Sequence, residues 1–244
     1  MMRTSNPALN DKTFQTTITS TENPMTIQGT VNKTGICLAL LFVSASWTWG
    51  KVAAGAQVSG ALWLPVIGAF IVAMVTCFKK EWAPVTAPLY AVMEGAALGF
   101  ISALFELRFP GIVIQAVSLT FGTLAALLMA YKSGLIRATE NFKMGVFAAT
   151  GGIALLYLVD IVIGFFGLRV PFIHESGMFG IGFSVFVVVV AALNLVLDFD
   201  FIEKGASQGA PKYMEWYAAF GLMVTLVWLY FEILRLLAKM RERR

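Results

Sequence analysis

Charged side chains are scarce in this chain: they make up 13% of its 244 residues, while 58% are hydrophobic. An average soluble domain is about 25% charged. So small a charged set cannot cover a water-facing surface. This excludes an ordinary soluble protein and leaves an integral membrane protein, in line with a mean hydropathy of +0.78. Histidine is nearly absent, with His174 the single one. A two-histidine zinc motif is therefore excluded, and no GxSxG elbow or P-loop occurs. An intramembrane protease would need two facing aspartates. Asp160 and Asp198 are the nominal pair, but no motif supports them, so no enzyme is expected. The two cysteines, Cys37 and Cys77, both fall in apolar stretches and read as small buried hydrophobes, neither a disulfide nor a metal pair. No basic stripe interleaved with aromatics is present, which excludes nucleic acid as a partner. No apolar stretch follows the basic start, so no signal peptide is expected.

What is abundant is apolar sequence in long runs. With about 20 apolar residues needed per crossing, seven segments emerge: Thr34 to Gly50, Val58 to Phe78, Ala83 to Phe105, Pro110 to Tyr131, Met144 to Leu168, Met178 to Leu197, and Met214 to about Leu234. Trp47 and Trp49 read as interface anchors, and Pro65 predicts a kink. Short loops predict antiparallel neighbours in one all-α bundle. The sequence divides into a polar cytoplasmic tail (1–33), a membrane domain (34–237) and a basic C-terminal tail (238–244). The polar tail has too few apolar residues to fold alone and is expected to be mobile.

Loop lysines and arginines set orientation. Arg3, Lys12, Lys33, Lys79, Lys80, Lys132, Arg137, Lys143, Lys204 and Lys212 fall on one side, and Lys51, Arg108 and Arg169 on the other. This places the N-terminus in the cytoplasm. The basic residues after Arg235 argue the other way for the last segment, so a full crossing or a re-entrant segment both remain open there.

Carboxylates in such a chain are costly unless solvated, paired or used. Asp198, Asp200, Glu203 and Glu215 surround the polar hinge between the last two segments, on the cytoplasmic side. They are expected to ring its mouth. Two residues apart on a helix, Asp198 and Asp200 point to different faces. If the helix ends near Asp198, Asp200 belongs to its unwound exit, where it and Glu203 read equally well as solvated helix-end groups. Asn194 lies one turn before Asp198 on the same face, so the two line one polar path. Glu94 sits mid-segment beside Gly95 and Gly99, a small-xxx-small pair that lets helices approach closely. It reads as an ion-path group or as a polar clasp between helices, and Asp160 reads similarly. Glu232 and Arg235, three apart, predict a local ion pair.

The opening SNPAL, the MTIQGTVNKT before the first segment, LYAVMEGAALGFISALFE in the third, and LVLDFDFIEKG with MEWYAAFGLMVTLVWLYFEILRLL at the end resemble the transmembrane Bax inhibitor motif family, in its bacterial branch. The resemblance covers nearly the whole chain. It implies a seven-helix transmembrane bundle whose last helix is central, in a cell inner membrane. It also implies a pH-sensitive calcium leak in which two aspartates, on the sixth and seventh helices, share a proton. An arginine in the second helix would stabilise the closed form. Asp198 matches the sixth-helix aspartate. Thr225 stands where the seventh-helix aspartate would be, and Val58 to Phe78 holds no arginine. Glu215, Glu94 and Asp200 are the candidates for the second carboxylate. Hard oxygen ligands suit calcium, so a cation leak with transiently bound calcium and no resident cofactor is the leading expectation. The alternative is a non-conducting regulator that binds other membrane proteins, such as a quality-control protease, through the polar tail.

Overall fold

The computed structural model describes residues 24–55, 63–166 and 177–243. Among these residues seven α-helices follow one another. They are α1 (Ile27–Ala53), α2 (Trp63–Phe78), α3 (Ala83–Arg108), α4 (Ile112–Lys132), α5 (Glu140–Gly164), α6 (Met178–Ser207) and α7 (Met214–Glu242), with a single 3-10 turn, Lys80–Trp82, before α3. Six helices are long and apolar enough to cross a membrane, and the apolar part of α2, Leu64–Phe78, is shorter. His174, Arg169, the start of the expected second segment and the tail before Pro24 lie outside the described residues.

Three helix ends differ most from the hydropathy reading, one of them the C-terminus of α7, which runs to Glu242 rather than about Leu234 and so takes in most of the basic tail. α1 starts at Ile27 rather than Thr34. Its N-cap is Thr26, whose extended backbone (φ −125°, ψ 150°) lets the side chain accept from Gly29 N at 2.9 Å. That satisfies one of the donors a helix start leaves open. Thr30 and Thr34 then donate their hydroxyls to carbonyls one turn back, so polar residues sit comfortably in the first turns. The part of the polar tail from Ile27 onward is therefore helix. α6 likewise runs past Leu197 to Ser207, because Lys204 pairs with Asp200 four residues earlier at 2.7 Å. It ends with Gly209 at φ +68°, the Gly209 N–H donating to Ala206 O and the Ala210 N–H to Gly205 O. This is a Schellman stop, and only glycine takes that left-handed backbone at little cost. Pro65 falls in the first turn of α2, where its missing N–H has no helical partner to lose, so it begins the helix instead of kinking it.

The chain divides into two compact units. The described part of one comprises 24–55, 63–110 and 200–224, that is α1 to α3, the end of α6, the hinge and the start of α7. There α1 and α3 pack backbone to backbone: a Cβ added to Gly95 or Gly99 would collide with the backbone of Leu41 or Ala45. This is the close contact a small-xxx-small pair permits. Tyr90 meets Phe220 edge-on with ring centres 5.0 Å apart. The described part of the other unit comprises 111–166, 177–199 and 225–243. Its core joins Ile153 of α5 to Val187 and Val190 of α6, flanked by Tyr157, Phe183 and Trp228.

Within its most apolar window α7 has 61% of its residues buried, against 11% for α5. The last helix is thus the interior one, as expected. Its 29 residues form one continuous helix, about 43 Å at 1.5 Å per residue, which is ample for a full crossing. Apolar side chains such as Leu64, Phe70, Ile114, Leu155 and Phe186 are exposed and form faces suited to lipid. Cys37 is buried and Cys77 half-buried, and both are free thiols.

Candidate functional site

The apolar helix α6 carries three polar side chains inward, Ser184, Asn194 and Asp198, and the last two lie together in its C-terminal half. Asn194 and Asp198 are 3% and 1% exposed. Asn194 donates to Thr150 Oγ1 of α5 at 2.9 Å and to Val190 O of its own helix at 2.8 Å. Asp198 follows one turn later on the same face. Thr150, Asn194 and Asp198 thus mark a polar row beside the apolar core of Ile153, Val187 and Val190 in the second unit. Thr225 of α7 is also buried in this unit. Asp160 of α5 is half-buried.

The other predicted carboxylates separate. Asp200 is not on an unwound exit: it is helical, half-buried and paired with Lys204. Glu203 is exposed on the same helix. Asp198 and Asp200 therefore do face different ways. Glu94 lies half-buried on α3. Among the described residues no group of three or more His, Cys, Asp or Glu side chains is arranged to hold a metal ion. The expected ring of four carboxylates does not form.

Glu215 departs furthest from expectation. It lies in the first turn of α7 and is fully buried rather than solvated at a mouth. Its Oε1 accepts from Thr26 N at 3.0 Å, from Thr26 Oγ1 at 2.9 Å and lies 2.9 Å from Lys212 Nζ. Its Oε2 lies 3.2 Å from Lys33 Nζ. The Thr26 hydroxyl donates to Glu215 while accepting from Gly29, so one side chain caps α1 and binds α7's carboxylate at once. Lys33 also lies 5.8 Å from the centre of the Trp216 ring, within cation–π range. Alongside, Met25 N donates to Ala210 O at 2.7 Å, and Pro24 opposes Pro211 across an isolated antiparallel bridge. Two ammonium groups and two neutral donors occupy this carboxylate, which leaves it poorly placed to coordinate a passing ion.

Further along α7, Glu232 is 2% exposed. Tyr157 OH of α5 donates to it at 3.0 Å, and Arg235 donates to both its oxygens at 3.2 Å. Arg235 also donates to the Tyr157 oxygen at 2.7 Å, and its guanidinium lies 5.2 Å from that ring's centre. The predicted Glu232–Arg235 pair is present, with a tyrosine closing it. One turn on, buried Lys239 donates to Gly180 O and Ser184 Oγ of α6.

Sequence reasoning missed Thr26, Gly29, Lys33 and Lys212 around Glu215, and Tyr157 beside Glu232. Lys212 stands three before Glu215 and was readable as a local pair. Thr26 was readable as a helix cap from its place before Ile27. Nothing in the spacing linked either to a partner 189 positions away.

The sequence model of the Bax inhibitor 1 like family matches residues 6–242. No curated protein and no solved structure matches the chain. A match over nearly the whole length is decisive for membership: this chain belongs to the Bax inhibitor 1 like family.

Proposed function

Taking that membership as the premise, we propose that the protein is a non-enzymatic cation leak, for calcium, in a cell inner membrane, with its N-terminus in the cytoplasm. The observation that carries the reading is Asp198, a carboxylate 1% exposed on a membrane-length apolar helix. A charge at the centre of a spanning helix costs about 2.5–3.5 kcal/mol on insertion scales and less toward its ends, and intramembrane acids are characteristically tied to ion or proton movement. Asn194 and Thr150 extend the polar row by amide and hydroxyl groups, the oxygen chemistry that a hard cation favours. Asp198 is the residue on which flux and its pH dependence turn. Thr225, Asp160 and Glu94 are secondary, and Asp200 lies outside the row.

The test is calcium flux into liposomes carrying purified protein. Asp198→Asn lowers the flux and flattens its dependence on pH. Equal flux at every pH for the variant and the parent overturns the role of Asp198. Absence of flux from the parent itself favours the non-conducting regulator instead.

A further inference from the structure

Glu215 is a buried anion that the proposed ion path does not use. It sits where three separate pieces of chain meet: the strap of residues 24–26, the second turn of α1 at Lys33, and the hinge at Lys212. Every group that reaches it is a donor or a cation. Without the carboxylate, two ammonium groups and two unmatched donors would share the space, and like charges brought together repel. Among the described residues the strap is also held by its short backbone contact with the hinge and by the buried Met25 side chain. Pro24 and Pro211 face each other at the isolated bridge, and neither has an N–H to give. Beside that bridge the Met25 N–H donates to Ala210 O at 2.7 Å. Met25 itself is 2% exposed, so releasing the strap would uncover an apolar side chain.

The carboxylate's seat is also tight. A Cβ built on Gly29 would land on the Glu215 carboxylate. That position is mid-turn in a helix, where glycine is otherwise a poor choice. The missing side chain makes room for the anion.

We propose that residues 24–26 form a latch on the α6–α7 hinge, with Glu215 as its catch, and that cation leak rises when the latch opens. The second half of this statement rests on the leak reading, and the first half does not. The hinge between Gly209 and Met214 is the short non-helical joint between the last two helices. A strap bonded to Ala210 and a catch at Glu215 hold it from both ends. Opening the catch frees the hinge and the first turn of the buried helix together.

The experiment uses the full chain with Cys37 and Cys77 replaced by alanine, in phosphatidylethanolamine–phosphatidylglycerol liposomes. Met25→Cys reports the latch through its rate of maleimide labelling. Glu215→Gln and Gly29→Ala are two independent ways to open it. The first removes the charge, and the second leaves every charge in place while giving α1 a better helix former. Both are expected to raise labelling several-fold. If neither does, there is no latch. Because alanine strengthens a helix, an account based on α1 stability alone predicts slower labelling in Gly29→Ala, so faster labelling there points to the latch. For the gate, calcium leak is expected to rise several-fold in Glu215→Gln. A disulfide between Met25→Cys and Ala210→Cys in the same background should return it to the parental rate, and reductant should release it again. Labelling that rises while leak stays unchanged, or leak that the disulfide does not restore, overturns the gating role. If the parent carries no leak at all, the leak reading and the gate fail together, while labelling still decides the latch.

Discussion

Glu215 and Glu232 share a helix, are both buried, and are both neutralised by basic side chains. They are held in different ways. Glu232 takes its cation from Arg235, three residues along the same helix, and needs only the Tyr157 hydroxyl from elsewhere. Glu215 takes one cation from the hinge, another from α1, and a backbone N–H from the chain just before α1. The first is local chemistry that α7 carries with it wherever it goes. The second exists only once distant pieces have assembled, so it records the assembly of its unit and opens if that assembly loosens.

The hardest blow to this contrast is Glu215→Gln. Removing one member of a buried charge set costs about 3–5 kcal/mol where the remainder stays buried. Lys212 and Lys33 are partly exposed here, so about 2–3 kcal/mol is the expected loss, read as a fall in detergent melting temperature. A loss below that of Glu232→Gln would erase the distinction. Glu232→Gln is expected to cost about 1–2 kcal/mol: Arg235 keeps the Tyr157 oxygen and is itself 41% exposed at its side chain. Tyr157→Phe sharpens the point. It removes the hydroxyl that donates to Glu232 and accepts from Arg235, for about 1 kcal/mol, and its coupling to Glu232→Gln in a double-mutant cycle should exceed its coupling to Glu215→Gln. The smallest effect belongs to Asp200→Asn. That half-buried i,i+4 pair lies on a single helix, is worth about 0.3–0.5 kcal/mol, and should weaken modestly with added salt.

The same contrast explains what could be read from sequence. Glu232 with Arg235, Asp200 turned away from Asp198, Asn194 one turn before Asp198, and the Gly95–Gly99 seam all follow from helical spacing, and all are present. The apolar runs located the helices because lipid selects for them. They mislocated the ends of α1, α6 and α7, since hydropathy falls off at the membrane edge while caps and side-chain pairs carry a helix further. The role of Glu215 was hidden for another reason. Its partners come from both ends of the chain, and Thr26, Gly29 and Lys33 each have an ordinary local reading as turn former, spacer or topogenic charge. The carboxylate ring at the hinge was expected from proximity in sequence, but the continued α6 helix sends its members in different directions.

The seam between α1 and α3 has a mechanical meaning. Where Gly95 and Gly99 meet the backbone of Leu41 and Ala45, the two helix backbones touch directly, and the Ser44 hydroxyl ties them further by donating to Val92 O. Sliding by even part of a turn would drive a bulkier residue into the facing backbone. The two helices are thereby denied a shear plane and must move as one piece, much as two rails cast together. Any travel available to this unit is concentrated at its joints, and bulk introduced at the seam, for example by Gly95→Ala, would wedge α1 and α3 apart along their length.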